Sequence, residues 1–292
     1  MTRALMDRLR SGPPVLAPGA YDALSALLIE QAGFEAVYVS GASVAYTQLG
    51  RPDIGLVGFD QLADVVGRIR ERVGLPILVD ADTGFGNALN VQRSVRVLER
   101  RGASAIQIED QDSPKRCGHL AGKGLIPLAE MAGKVRAACD ARIDCTIIAR
   151  TDAIAVEGFE SALERAAAYV EAGADVVFVE APRTVEEMRR VVAALGARAP
   201  LVANMVEGGK TPILTLEELG ELGFRLAISP GAMVRAIIPH VEAFLASLKA
   251  HGTTKPFADR MTDLAGVNER IGLEEMMALG AAYDPKARQA AE

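Results

Sequence analysis

Short apolar runs that each end in a polar residue recur down the chain. Ala36-Val37-Tyr38-Val39 ends in Ser40, Ile77-Leu78-Val79 in Asp80 and then Asp82, and Ala105-Ile106-Gln107-Ile108 in Glu109. Thr146-Ile147-Ile148-Ala149 runs into Arg150 and Asp152, Val176-Val177-Phe178-Val179 into Glu180, Leu201-Val202-Ala203 into Asn204, and Leu226-Ala227-Ile228 into Ser229. Runs of this length and β-branched content mark parallel strands covered on both faces. Val15-Leu16-Ala17, counted first, makes eight. Stretches of helical period lie between them: 22–32, 59–73, 90–101, 127–139, 160–172, 185–195 and 215–222. Gly33, Gly102, Gly173, Gly196 and Gly223 stand just past their ends, where a helix stops and the chain turns into the next strand.

Strict alternation of this kind predicts a (β/α)8 TIM-type barrel. The strand ends of such a barrel open on one rim, so seven polar endings on that rim exceed what core packing requires. A doubly wound sheet is the runner-up, but it calls for a glycine-rich phosphate turn after the first strand. Pro18-Gly19-Ala20-Tyr21-Asp22 is not one. From about residue 234 to 292 the chain is longer than an eighth helix needs, with helical patterns at 241–248 and 273–283. This reads as a single barrel domain, 1–292, with a C-terminal helical extension that contacts a neighbouring subunit.

Composition narrows the function. Half of the 292 residues are apolar, enough for one large core. A net charge of −6 argues against nucleic acid, and no apolar stretch is long enough to span a membrane. The N-terminal MTRALMDRLRSGPP lacks the apolar centre of a secretory signal. Three cysteines with no CxxC pair fit a reducing cytoplasm. One short stretch is basic against this acidic background: Lys115, Arg116, His119 and Lys123. That suits an anionic small molecule.

Asp80-Ala81-Asp82-Thr83-Gly84-Phe85-Gly86 follows a strand with two carboxylates two residues apart. They can face one hard cation such as Mg²⁺, or simply cap a turn. Glu109 and Asp110 add carboxylates from the next strand, and too few His and Cys stand near for zinc. Lys115-Arg116-Cys117-Gly118-His119 lies in a loop with glycines on both sides, the pattern of a flap that closes over substrate. Neighbouring cations stabilise the Cys117 thiolate and let it exchange a proton near neutral pH. The alternative is a solvated basic loop. Cys139 and Cys145 read as packing residues, and His240 and His251 as surface or interface residues. Arg150 can grip a carboxylate in a fork, or brace the rim against Glu109 or Glu180. Asn204 offers a donor. Ser40-Gly41-Ala42-Ser43 is either an anion cradle or a helix cap.

In order along the chain, Ser40-Gly41, Asp80 to Gly86, Glu109-Asp110-Gln111, Lys115 to His119, Ala149-Arg150-Thr151-Asp152-Ala153 and Asn204-Met205 resemble the isocitrate lyase/phosphoenolpyruvate mutase superfamily. The Lys115–His119 loop is the most specific part, and members carrying its cysteine are mostly carbon–carbon lyases. The resemblance is greatest to the short lyases of 2-methylisocitrate and 2,3-dimethylmalate. It implies a barrel whose last helix is exchanged between paired subunits of a homotetramer. It implies Mg²⁺, with Mn²⁺ as a substitute, held through waters by Asp80, Asp82 and Glu109 with Asp53 nearby. The expected reaction cleaves a 2-hydroxy di- or tricarboxylate to an α-keto acid such as pyruvate plus a carboxylate. Cys117 would be the general acid. Arg150, His119 and Asn204 would meet the developing charge, and Tyr38 or a group around Glu180 would be the base. Ser40, Gly41, Ala42, Lys115, Arg116 and Gly118 would bind substrate. A phosphonomutase of the carboxyphosphonoenolpyruvate type and an oxaloacetate hydrolase or decarboxylase are the alternatives on the same rim.

Overall fold

The computed structural model describes residues 2–116, 118 and 122–283; Cys117 and His119 lie outside the described residues. In chain order the elements are α1 (Thr2–Arg10), β1 (Val15–Ala20), α2 (Ala23–Gln31), β2 (Val37–Val39) and α3 (Gly41–Val44), which runs into a π-helical turn at Ala45–Leu49. Then come α4 (Phe59–Arg72), β3 (Ile77–Asp80), α5 (Ala88–Arg100), β4 (Ala105–Glu109), α6 (Leu128–Ala141), β5 (Thr146–Thr151), α7 (Phe159–Glu171) and β6 (Val176–Val179). The series ends with α8 (Val185–Leu195), β7 (Leu201–Asn204), α9 (Leu216–Leu222), β8 (Leu226–Ser229) and α10 (Ala232–His251). The eight strands close into a barrel in sequence order, each parallel to its neighbours, as the alternation predicts.

A strand turns alternate residues to opposite faces, and this sorts every run into two sets. Val37, Val39, Ile77, Val79, Ile106, Ile108, Ile147, Ala149, Leu201 and Ala203 pack outward among the helices. Ala17, Tyr38, Leu78, Ala105, Ile148, Phe178, Val202 and Ile228 fill the barrel interior. Two residues further on, the inward positions become Ser40, Asp80, Gln107 and then Glu109, Arg150, Glu180 and Asn204. The same period that fills the barrel therefore delivers the polar endings to the inside of one rim. Strand register refines this placement. Glu109 pairs with Arg150 across β4 and β5, and Asp80 pairs with Gln107 across β3 and β4.

The opposite mouth is plugged. Helix α1, which the sequence pattern did not single out, sends Leu5 and Leu9 into the interior cluster with Val15, Ala17 and Leu78. Leu9 is 1% exposed. Helix starts follow ordinary capping. Asp22, Asn87, Thr184 and Thr215 each accept a backbone N–H from the first turn of the helix they precede.

The chain divides into two compact units, residues 1–235 and 236–292. The second holds most of α10, a 3₁₀ segment at Lys255–Arg260, α11 (Leu264–Ile271) and α12 (Leu273–Ala282). Phe257 centres a small cluster there, with its ring 5.4 Å from His240 and 5.5 Å from Phe244. Sequence periodicity predicted only 241–248 and 273–283 as helix here; α11 was missed and α10 is longer, with Pro239 inside it. Among the described residues, no helix is long and apolar enough to cross a membrane.

Candidate active site

The rim encloses a cavity of about 390 Å³, lined by Tyr38, Ser40, Ala42, Asp53, Asp80, Glu109, Lys115, Arg116, Gly118, Arg150, Glu180 and Asn204. Twelve of the residues singled out from sequence thus share one wall. Asp82 and Gly41 stand directly behind it: a Cβ on Gly41 would lie 3.2 Å from Asp82 Oδ1 and 3.6 Å from Asp80 Oδ2. Any larger residue at position 41 would press on the carboxylates.

One half of the cavity is acidic. The β3 turn carries Asp80 and Asp82, with Asp82 at φ +48° and Phe85 at φ +62°. Non-glycine residues seldom hold this conformation, and it persists because the surroundings fix it. Lys134 Nζ donates to Thr83 O at 3.1 Å, and Ser94 Oγ donates to Gly84 O at 3.1 Å. Lys115 Nζ lies among the carboxylates, 2.6 Å from Asp53 Oδ1 and 2.6 Å from Asp82 Oδ1. Burial raises the Asp82 carboxyl to about 7 against the opposing pull of Lys115. Burial likewise lifts Glu109 well above the ordinary range, with Arg150 pulling the other way. Burial alone would lower Lys115, but Asp82, Asp80, Asp53 and Glu109 outweigh it and its pKa rises. Four carboxylates around one ammonium leave this half short of positive charge.

Those donors are all hard oxygens, and Glu109 Oε1 is buried with no hydrogen-bond partner among the described residues. Such a set fits Mg²⁺ better than a softer ion. Among the described residues, no three His, Cys, Asp or Glu converge to hold a metal directly.

Tyr38 reaches toward this half from inside the barrel. Its hydroxyl donates to Gln107 Oε1 at 3.0 Å, and Gln107 Nε2 donates to Asp80 Oδ1 at 3.2 Å. Burial first, then Asp80, pushes the phenol well above its ordinary value. With only protein charges around it, Tyr38 is a neutral hydrogen-bond donor. Gln107 was legible as the one polar residue inside an apolar run, yet it carried no assigned role.

The other half is built around Arg150. Its Nε donates to Asp152 Oδ2 at 2.9 Å and its Nη2 to Asp152 Oδ1 at 3.1 Å. Nε also stands 3.3 Å from Glu109 Oε2, and the guanidinium lies 5.0 Å from the Phe178 ring centre. The bracing reading therefore holds in geometry, with Asp152 as a further brace beside Glu109. Burial alone would raise Asp152, but Arg150 and Lys123 outweigh it and depress its carboxyl to about 2. Asn204 Nδ2 donates to Glu180 Oε2 at 3.2 Å, leaving Asn204 Oδ1 buried without a hydrogen-bond partner among the described residues. Gly118 is pressed against this group. A Cβ there would fall 2.4 Å from Arg150 Nη2 and 2.9 Å from Glu180 Cγ. The glycine of the Lys115–His119 motif is the residue that lets the main chain enter the cavity.

One sequence reading changes. Asp110 faces away from the acidic half. It accepts from Thr151 Oγ1 and Tyr169 OH at 2.7 Å each and from Asp152 N at 2.9 Å. Ser40 caps α3, accepting from Ser43 N at 3.2 Å, so the cap reading holds while Ser40 still lines the cavity. Arg235, just beyond β8, also lines the cavity and pairs with Glu207 at 3.3 Å. Its place soon after a strand end was the available signal. Cys145 is buried and its thiol is pushed up to about 12, chiefly by burial, as a packing residue should be. Cys139 is half-buried and donates to Gly173 O at 3.1 Å.

The phosphoenolpyruvate phosphomutase family model matches residues 5–249. A 2-methylisocitrate lyase of Aeropyrum pernix is 46% identical over 275 residues, 94% of this chain and 88% of that protein. A 2,3-dimethylmalate lyase of Eubacterium barkeri is 43% identical over 274 residues, 93% of this chain and 94% of that protein. The solved complex of a phosphonopyruvate hydrolase with oxalate and Mg²⁺ is similar too. It has a TM-score of 0.87 at 32% identity, covering 97% of this chain and 98% of that one. Fold, rim and whole-length similarity agree: the chain belongs to the phosphoenolpyruvate mutase/isocitrate lyase family.

Proposed function

We propose that this chain, a carbon–carbon lyase, cleaves a 2-hydroxy di- or tricarboxylate of the 2-alkylmalate or 2-methylisocitrate type to an α-keto acid and a second carboxylate. The carrying observation is the division of one cavity into an acidic half and a half where Arg150, Glu180 and Asn204 meet the Gly118 main chain. Asp80, Asp82 and Glu109, with Asp53 nearby, are the groups that would hold Mg²⁺. The phosphonopyruvate hydrolase complex supports that choice of ion. When bound, Mg²⁺ supplies positive charge to the 2-oxygen and the adjacent carboxylate of the substrate.

The chain's own residues account for the rest. Loss of the hydroxyl proton lets the C2–C3 bond break, and C2 becomes the keto carbon. The bonding pair moves to C3 and spreads over the neighbouring carboxylate as an enediolate. Arg150 and Asn204 Nδ2 are donors on that side of the cavity, and preorganised donors are worth most where charge appears. Cys117 delivers the proton that quenches C3, with His119 two residues on in sequence. Tyr38 acts as a fixed donor, and the base is assigned to the Glu180 side.

Unit 236–292 exposes Ile237, Ile238, Val241, Leu245, Leu264, Met276 and Met277. That apolar surface supports packing against further copies of the chain, read here as a homotetramer of helix-swapped dimers. The same reading takes the protein as cytoplasmic, with neither membrane nor nucleic acid as partner.

The test is release of pyruvate, coupled to lactate dehydrogenase, across 2-alkylmalates, 2-methylisocitrate, oxaloacetate and phosphonopyruvate. A Mg²⁺-dependent signal with a 2-hydroxy acid, lost on chelation, is the expected result. Turnover confined to oxaloacetate or the phosphonate overturns the proposal.

A further inference from the structure

Arg150 shares its carboxylate with a second buried cation. Lys123 Nζ donates to Asp152 Oδ1 at 2.7 Å and to the carbonyl of Gly118 at 2.5 Å. The Lys123 side chain is 1% exposed and that of Asp152 0%. Asp152 is fixed from beneath as well. Its backbone N–H donates to Asp110 Oδ1, and Asp110 Oδ2 takes Tyr169 OH at 2.7 Å and Arg165 Nη1 at 3.4 Å. Arg165 Nη1 also donates to Ile126 O at 3.0 Å. Neither Lys123, Asp152 nor Asp110 lines the cavity.

A buried ion pair contributes little net stability, because desolvation offsets most of its attraction. Geometry gives this one a different use. Gly118 already sits as close to Arg150 and Glu180 as a residue without Cβ can. Lys123 holds the Gly118 carbonyl on one side and the brace of Arg150 on the other. One ammonium thus spans two parts of the cavity wall that no covalent link joins closely. We infer that Lys123 and Asp152 are a pair of positioning residues that register the Gly118 main chain against the Arg150 guanidinium. The purpose of that register, aiming a proton donor at the enediolate, rests on the lyase reading; the register itself does not.

The test compares the full-length protein with Lys123→Met, Lys123→Arg and the isosteric Asp152→Asn, by hydrogen–deuterium exchange and by steady-state kinetics. In Lys123→Met and Asp152→Asn, amides of residues 112–126 should exchange about tenfold faster, while peptides covering 77–82 and 176–182 keep their wild-type rates. With substrate, kcat of Lys123→Met should fall about 30- to 100-fold and KM should stay within about threefold, since misplacement by an ångström acts on the transition state more than on binding. Lys123→Arg, which keeps the charge, should recover at least about tenfold of that loss. Unchanged exchange over 112–126 overturns the inference. So does acceleration spread evenly over the barrel, or a rise in KM at constant kcat. If the wild type turns over no 2-hydroxy acid, the local exchange change still decides for the pair, and only the lyase reading falls.

Discussion

Replacing Gly118 by alanine adds one methyl group at the point where the main chain meets Arg150 and Glu180. The backbone there is not in the left-handed region, so alanine brings no conformational penalty of its own. The whole effect comes from contact. The new Cβ would stand 2.4 Å from Arg150 Nη2 and 2.9 Å from both Glu180 Cγ and Oε1. Ordinary carbon contacts begin near 3.5 Å, so something must retreat by about 1 Å. Arg150 is held by Asp152 and Glu180 by Asn204, which leaves the incoming chain as the part that gives way. A misplacement of that size costs roughly 100-fold in rate, or about 2.7 kcal/mol of transition-state stabilisation. The assay is pyruvate release from a 2-alkylmalate at saturating Mg²⁺, with a thermal melt alongside. The expected result is kcat down about 100-fold and Tm within about 2 °C of wild type, because the change sits in a loop at the cavity and not in the core. A variant whose kcat stays within about threefold of wild type would refute the claim that this close approach matters.

Three more outcomes follow from the same structure and residue roles. Cys117→Ser should abolish cleavage while calorimetry finds oxalate and Mg²⁺ binding nearly intact; retained turnover removes the thiol's role as acid. Leu9→Ala should cost about 2–4 kcal/mol in urea unfolding, from the cavity it leaves in the barrel plug, with kcat unchanged because that mouth is opposite the rim. Asp152 is depressed to about 2 in the folded chain, below its ordinary 3.8, so the unfolded state binds its proton first as pH falls. Its contribution, roughly 2 kcal/mol, is present above pH 4 and lost between about 4 and 2, so the stability gap between wild type and Asp152→Asn should narrow over that window.

The fold was legible because a closed parallel barrel imposes two simple periods, and both survive in the sequence. Runs such as Val176–Val179 announce strands, and glycines at 33, 102, 173 and 223 announce helix ends. Much of the rim followed, since the residue after a buried run is forced to a strand end. What escaped depends on the partner a side chain finds in three dimensions. Asp110 and Glu109 are neighbours in sequence, yet alternation turns Glu109 into the barrel and Asp110 out toward Tyr169 and Arg165. Lys123 was recognised only as one member of a basic stretch; its burial against Asp152 depends on how the loop returns to α6. Arg150 and Asp152 were both visible, but nothing in their spacing says that they bind each other. Among the described residues, helix α1 turns Leu5, Leu9 and the partly buried Met6 to the barrel interior, too short a stripe to stand out before the interior it plugs is known.

In the proposed reaction a carbon–carbon bond breaks and the released carbon is protonated within the cavity. Mass spectrometry of the carboxylate fragment formed in D₂O addresses both halves at once. One deuterium per fragment, at the carbon formerly bonded to C2, is the expected product. A fragment that carries none there, or an α-keto acid released without any such fragment, contradicts the proposed reaction.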